Sequence, residues 1–377
     1  MKIAIVGAGI AGLSLAWALH RRGATVALFD QGPIPNPLSS SFDEHRITRH
    51  VYGGLSGYGA LMPDAFRTYD ELWADLGTSH FHPASLVYLG RRDTGFHDAA
   101  APDLDAMGIP HRRLALGDLA AMLPMMRPDG IVEAFESGGA GELFAARIVT
   151  DLARWLREAG VALHPHTKVR DVDVDTGRFL ANGWESADLV VIAAGAWLPA
   201  IHPASAGRLV PSRQAMLYLE PPPRLRRAWA EAPIIVDSGL THGGYILPPK
   251  AGTRLKIGDH AFSRKGHGDD DRRATPEDTA RIRTAAREVF VEFDAYTVLE
   301  ARICYYTVSP DERFVVEPIG RSGWVLSACS GHGFKLGPLI ASGLADAIVG
   351  RRPAADIPAW AAGKTEPPRR AADGKAF

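Results

Sequence analysis

The sequence predicts an α/β protein: a Rossmann-like dinucleotide-binding domain, interrupted along the chain, with an inserted β-rich substrate domain of α+β character. Three observations carry this. A strand, a glycine loop, a helix and a second strand open the chain; apolar α/β alternation returns near residue 145 and again near 322; the stretches between lack it. At roughly 100–200 residues per domain, a chain of 377 residues is expected to hold two domains with a cleft between them.

KIAIV (2–6) is a short apolar strand, and residues 10–22 carry apolar side chains at helical spacing until Gly23 stops them. TVALF (25–29) is the second strand, ending at Asp30, and the crossover joining the two is expected to be right-handed. A Pro/Ser-rich loop covers 32–41 and a helix 60–76. Residues 84–140 mix short strands, Gly/Pro turns and a helix around 116–123. AARIVTDLARWLREAG is an amphipathic helix closed by Gly160, VALHPHTKV reads as two strand-like runs, and ADLVVIAAGAW is an apolar strand running into glycine. Residues 209–308 are β-rich with one charged helix near 276–292; the last strand, WVLSA, leads into SGHGFKLGPLIASGLADAIVG. The expected boundaries are 1–80, 144–208 and 312–352 for the dinucleotide-binding domain, 81–143 and 209–311 for the substrate domain, and 353–377 for a tail that is a strap or a loose end.

Composition excludes several function classes. With 42 Lys+Arg against 43 Asp+Glu, the chain has no global field to draw nucleic acid or an anionic membrane. Two cysteines, Cys304 and Cys329, make no disulfide framework, which fits a reducing, cytoplasmic compartment. No run reaches the ~18–20 apolar residues of a membrane span, and Gly7, Gly9 and Gly12 argue against reading the N-terminus as a signal peptide. The pairs His80/His82 and His164/His166 lack a third ligand nearby, so no metal is expected. GDDDRR (268–273) reads as a solvated loop.

The glycine loop carries the first chemistry. In Gly7-Ala8-Gly9-Ile10-Ala11-Gly12 the first glycine makes the tight turn, the second lets backbone approach a pyrophosphate, and the third lets helix and strand pack closely. Ile10 and Ala11 then lie against the cofactor, phosphates sit at the positive helix end, and Asp30 accepts hydrogen bonds from the adenosine ribose. Two features favour FAD over NAD. There is one fingerprint only, and ADLVVIAAGAW would bring Gly195 and Trp197 back over the same cofactor, with Val169 beside them.

Four further blocks carry a family resemblance: SSSFDEHRITRHVYG (39–53), LKIGDH (255–260), CYYTVSPDERFVVE (304–317) and SGHGFK (330–335). Together they resemble the monomeric sarcosine oxidase and N-methyltryptophan oxidase family, a branch of the D-amino-acid-oxidase-like flavoenzymes. The resemblance implies FAD held through a thioether to Cys304, and Gly331, Gly333, Phe334 and the helix start approaching the flavin. It further implies Arg49 and Lys335 gripping a substrate carboxylate, Arg46 against the flavin, Lys256 promoting the reaction with O2, and His260 and Tyr245 lining the substrate cavity. The implied reaction is oxidation of the C–N bond of a secondary (N-alkyl or cyclic) amino acid to an imine, with O2 reduced to hydrogen peroxide, by a monomer or small homo-oligomer. Cys329 has no implied role beyond packing. Where the family has a small hydroxyl residue before its first arginine this chain has His45, Ile47-Thr48 replaces two apolar residues, and Phe42 lies near the position of a family histidine. These departures leave open a cyclic imino acid or larger amine as substrate. A dehydrogenase passing electrons to a partner and an NAD-dependent dehydrogenase are the alternatives.

Overall fold

The computed structural model describes residues 1–52, 55–92, 95–237, 243–327 and 329–365. Gly53 at the end of the early block, Ala328 at the end of WVLSA, and residues 366–377 of the expected tail lie outside the described residues.

Lys2–Val6 is the middle of a six-stranded sheet because its side chains are apolar on both faces. Ile3 and Ile5 pack into the cluster under the helices, while Ala4 and Val6 pack with Phe29, Val169 and Phe179 on the other side. It pairs in parallel with Thr25–Phe29 on one side and Leu189–Ile192 on the other, and the sheet extends through Ala162–His164 at one edge and Gly323–Ser327 and the antiparallel Val315–Ile319 at the other. The strand order therefore reverses at Lys2–Val6, and the carboxyl ends of its two neighbours open a crevice where ligands bind in such sheets. Ile10–Arg21, Ser56–Leu76, Ala145–Glu158 and Gly333–Ile348 share the apolar cluster on one face. A small antiparallel sheet, Asp171–Asp173, Arg178–Leu180 and Trp184–Ser186, covers the other through Phe179.

A nine-stranded sheet forms the second layer, in the order Thr297–Val308, Val210–Glu220, Leu255–Asp259, Gly244–Leu247, Ile234–Asp237, Phe81–Gly90, Glu133–Leu143 and Arg46–Arg49, with His111–Arg113 pairing Glu133–Leu143 off this path. Period-two alternation divides its strands between two faces. Ala215, Leu217, Ile246, Ile257 and Ile303 are buried on the outer face with Ile282 and Ala286 of helix Pro276–Val289, whose start is fixed by a Thr275–Asp278 capping box. Met216, Tyr218, Lys256, Cys304 and Tyr306 occupy the inner face, toward the first layer. Arg46–Arg49, which falls in the segment 1–80, pairs with Glu133–Leu143 of this larger sheet.

Local expectations fail where sequence pattern lacks a packing partner. Of VALHPHTKV only Ala162–His164 pairs as a strand. The helix around 116–123 is a short 3-10 turn followed by one helical turn, with Leu119 and Leu123 its buried side chains. The described part of the tail packs on the first layer: Ile357–Ala361 is helical, and Trp360 fills the space a Cβ on Gly343 would take, 2.3 Å from the ring.

Candidate active site

The crevice at the strand ends is built as the fingerprint requires. Gly7 has φ +106°, and a Cβ there would lie 2.5 Å from the Ala193 carbonyl; a Cβ on Gly12 would lie 1.8 Å from the Gly7 oxygen. The cleft runs past Ile10, Ala11, Asp30, Val169, Gly195 and Trp197 to Cys329 and Gly333. Asp30 orders the turn itself: its carboxylate accepts the Ala8 N–H, the Gly32 N–H and the Asn36 side-chain amide, each at 2.9 Å. Helix Gly333–Ile348 starts beside the cleft. Thr307 and Ser327, also on the wall, carry shielded hydroxyls without a partner. Unused donors and acceptors along a long glycine-walled cleft fit an extended polar group such as FAD.

GDDDRR is a largely exposed loop, as expected, but Gly268, Asp269 and Arg272 anchor it to the cleft. Gly268 lies against the Trp197 ring, where a Cβ would come within 2.6 Å; Trp197 Nε1 donates to Asp269 at 2.6 Å; and the Arg272 guanidinium sits 5.4 Å from the Trp197 ring centre and 4.5 Å from that of Tyr305. The loop crosses from the large sheet onto the cleft, and Asp269 lines it. Polar sequence concealed this role because its partners are aromatic rings distant in the chain.

A second cavity adjoins the cleft and shares Ile10, Ser40, Ser41, Tyr306, Cys329 and Gly333 with it. Arg46, Arg49, Tyr245, His260, Gly331, Phe334 and Lys335 all line this cavity, with Ile47, Val236, Leu247 and Phe262 supplying apolar surface. Arg49 has a shielded Nε without a partner, and among the described residues no carboxylate pairs with it or with Lys335, whose Nζ reaches only the Gly331 carbonyl at 3.3 Å. Desolvation and the neighbouring Arg49 and Arg46 charges pull Lys335 down to about 7. Desolvation, Arg49 and Lys335 likewise push His260 down to about 3, and His332 falls well below its ordinary value for the same reasons. This end of the cavity is cationic, with neutral imidazoles beside it.

Lys256 lies behind that cavity and is fully buried, which excludes a solvated face. Its ammonium contacts Asp43 Oδ2 at 2.5 Å and the His45 carbonyl at 3.2 Å, and stands 5.8 Å from the ring centres of Tyr218 and Tyr245. Arg46 donates to the Tyr306 hydroxyl at 2.9 Å and to the Ser40 carbonyl at 2.8 Å, and pairs with Asp43 at 3.0 Å. Cys304 does not line the dinucleotide cleft as Tyr305, Tyr306 and Thr307 do; it faces an adjoining pocket with Arg46 and Ser40, and burial raises its thiol despite Arg46.

A family model described as FAD dependent oxidoreductase matches residues 2–347. The chain belongs to that family. This flavoprotein is 26% identical over 366 residues to an N-methyl-L-tryptophan oxidase of Salmonella heidelberg, covering 94% of this chain and 96% of the other. Its fold matches an L-proline dehydrogenase from P. horikoshii with a TM-score of 0.82 over 96% of each chain at 17% identity. A glycine oxidase from Bacillus cereus matches with a TM-score of 0.77 at 18% identity, over 94% of this chain and 97% of that one. The D-amino-acid-oxidase-like resemblance is thus borne out, and the nicotinamide alternative is replaced by FAD.

Sequence reasoning missed several residues of this flavoprotein's site. Ser41 caps the fingerprint helix by accepting the Ile10 N–H at 2.9 Å, which no helix-start pattern announces because Ser41 is 31 residues away. Asp43 went unnoticed beside the arginines. His45, noted only as a departure, is wholly buried and bonded to an equally buried Glu142 at 2.7 Å.

Proposed function

We propose that this protein oxidises the C–N bond of a secondary amine that carries a carboxylate, a secondary amino acid with an apolar side chain, and returns the electrons to O2. One observation carries the reading: Arg49 and Lys335 stand together, without an acidic partner among the described residues, at one end of an apolar cavity that adjoins the dinucleotide cleft. A planar fork and a point charge suit a carboxylate, and an uncompensated cation pair is costly unless a ligand completes it. The Salmonella relative, whose name specifies an N-methylated aromatic amino acid, supports the same substrate class.

The chemistry a bound FAD supplies is a two-electron oxidation: C–H and N–H of the amine become C=N, and two electrons and two protons convert O2 to hydrogen peroxide. The chain's part is orientation and electrostatics. Arg49 and Lys335 fix the carboxylate and so aim the α-carbon and N-alkyl group. The cationic surroundings disfavour an ammonium, so the bound amine keeps its lone pair without a strong base among the cavity side chains. His260 and Tyr245 close the cavity in neutral form. Lys256, with Arg46, supplies fixed positive charge where O2 acquires negative charge. Cys304 holds the cofactor through a thioether.

Anaerobic mixing with N-methyl amino acids, then with proline and pipecolate, tests this directly. Bleaching of the yellow colour followed by peroxide on aeration is expected from at least one of them; bleaching by carboxylate-free amines instead would reject the carboxylate grip. Bleaching without peroxide would assign the electrons to another acceptor. Acid precipitation should leave the colour in the pellet for the wild type and release it for Cys304→Ser.

A further inference from the structure

Asp43 is shielded from solvent and uses both carboxylate oxygens fully. Oδ2 receives the Lys256 ammonium at 2.5 Å and the Arg46 guanidinium at 3.0 Å. Oδ1 receives the Tyr218 hydroxyl, the Glu44 N–H at 2.8 Å and, at 3.4 Å, Arg302. Its own carbonyl accepts the Ala146 N–H at 2.7 Å, which ties it to the start of helix Ala145–Glu158 in the first layer. One residue therefore bridges the two layers and touches both Lys256 and Arg46.

We infer that Asp43 is the positioning residue of the oxygen side of the site: its carboxylate fixes the Lys256 ammonium and the Arg46 guanidinium in place and keeps the ammonium charged. This rests on the oxygen role proposed for Lys256. The groups facing Lys256 are Asp43, Arg46, Cys304, Tyr218, Tyr245 and the His45 carbonyl, and Asp43 is the one carboxylate among them. Burial pulls Lys256 down to about 8, and the Asp43 charge is the largest force holding it up against burial and Arg46. Burial opposes ionisation of Asp43 too, but Lys256 and Arg46 hold its carboxyl far below the usual range. The two charges exist because of each other, and a neutral residue at 43 would leave two unbalanced cations, of which only Lys256 can shed its proton.

The decisive experiment titrates the amine-free holoenzyme from about pH 6 to about pH 10 by flavin absorbance, a readout independent of turnover. The wild type should show a transition near the Lys256 value, and Lys256→Met should lack it. Asp43→Asn, an isosteric change, should move the transition down by about one pH unit or more, and Asp43→Glu should move it back. The rate of reoxidation by O2 should acquire the same shifted pH profile in Asp43→Asn, while anaerobic bleaching by amine changes far less. An Asp43→Asn transition at the wild-type pH, or one that survives in Lys256→Met, would overturn the inference. Failure of the oxygen reading looks different: Lys256→Met would then lose the transition yet reoxidise as fast as the wild type.

Discussion

Two clusters of positive charge stand in this protein within one cavity system, and they differ in pairing. At the Lys256 end every cation meets a countercharge or a carbonyl: Asp43 takes Lys256 and Arg46, and Glu300 takes Arg302 and Arg254. At the Arg49 end the cations meet each other, two neutral imidazoles and mostly apolar walls, and the carboxylate in the lining, Glu312, pairs with Arg264 instead. Removing charge from water is costly, and a fold that leaves it uncompensated is less stable than it could be. The paired cluster is scaffolding whose charge is set in advance; the unpaired one is where the proposed carboxylate would bind.

The largest effect should come from Arg49→Ala. Loss of a carboxylate clamp of this kind is expected to lower kcat/KM for an N-methyl amino acid by about a thousandfold, on the scale of about 4 kcal/mol. The same variant should unfold at an equal or higher temperature than the wild type, because it removes a poorly compensated charge. A lower melting temperature would show that Arg49 is structural and would erase the contrast between the clusters.

The paired side should respond in the opposite sense. His45→Ala strips a buried partner from Glu142, whose other carboxylate oxygen is already without one. A loss of about 2–4 kcal/mol in denaturant unfolding is expected. In a double-mutant cycle with Glu142→Ala the two changes should cost less together than their sum; strict additivity would mean that the bond contributes nothing.

The sequence revealed the cofactor half of the site better than the substrate half, for a physical reason. Gly7, Gly9 and Gly12 fall within six residues of one strand-to-helix junction, so pattern alone locates them. The blocks holding Arg49, Lys335, His260 and Tyr245 could be associated only by resemblance, because the strand pairings that unite them span most of the chain. Asp43 and Glu142 had no sequence signal at all: each is an ordinary acidic residue until Lys256 and His45 are folded against it. The charged run 268–273 is exposed at Asp269–Asp271 and Arg273, as its polarity implies, but polarity says nothing about the distant indole that meets its backbone at Gly268.

Lys335 gives a smaller, graded effect. Its folded value of about 7 lies below its ordinary 10.5, so the unfolded chain binds more protons between these values. This residue's contribution therefore makes the ligand-free protein gain stability as pH rises through that window. A bound carboxylate favours the protonated amine, so binding takes up a proton above about pH 7. Affinity for a simple carboxylate such as acetate, followed by flavin absorbance, should fall by up to about tenfold per pH unit there. Lys335→Met should bind more weakly at pH 7 and lose that slope; a slope that persists would assign the titration to another group.

The smallest effect concerns the strap over the cleft. Arg272 is half-exposed, and its contacts with the Trp197 and Tyr305 rings are worth about 0.5–1 kcal/mol each at such a site. In a Cys304→Ser background, which lacks the proposed thioether, Arg272→Ala should release FAD about two- to tenfold faster on dilution. Gly268→Ala acts on the same strap from the backbone, since its Cβ would meet the Trp197 ring at 2.6 Å, and should also quicken release. If both variants release FAD at the parent rate, the loop merely rests on the cleft, and retention depends on the fingerprint and the helix end alone. If Gly268→Ala accelerates release and Arg272→Ala does not, the closeness of the backbone to the indole, rather than the guanidinium, is what keeps the cleft shut.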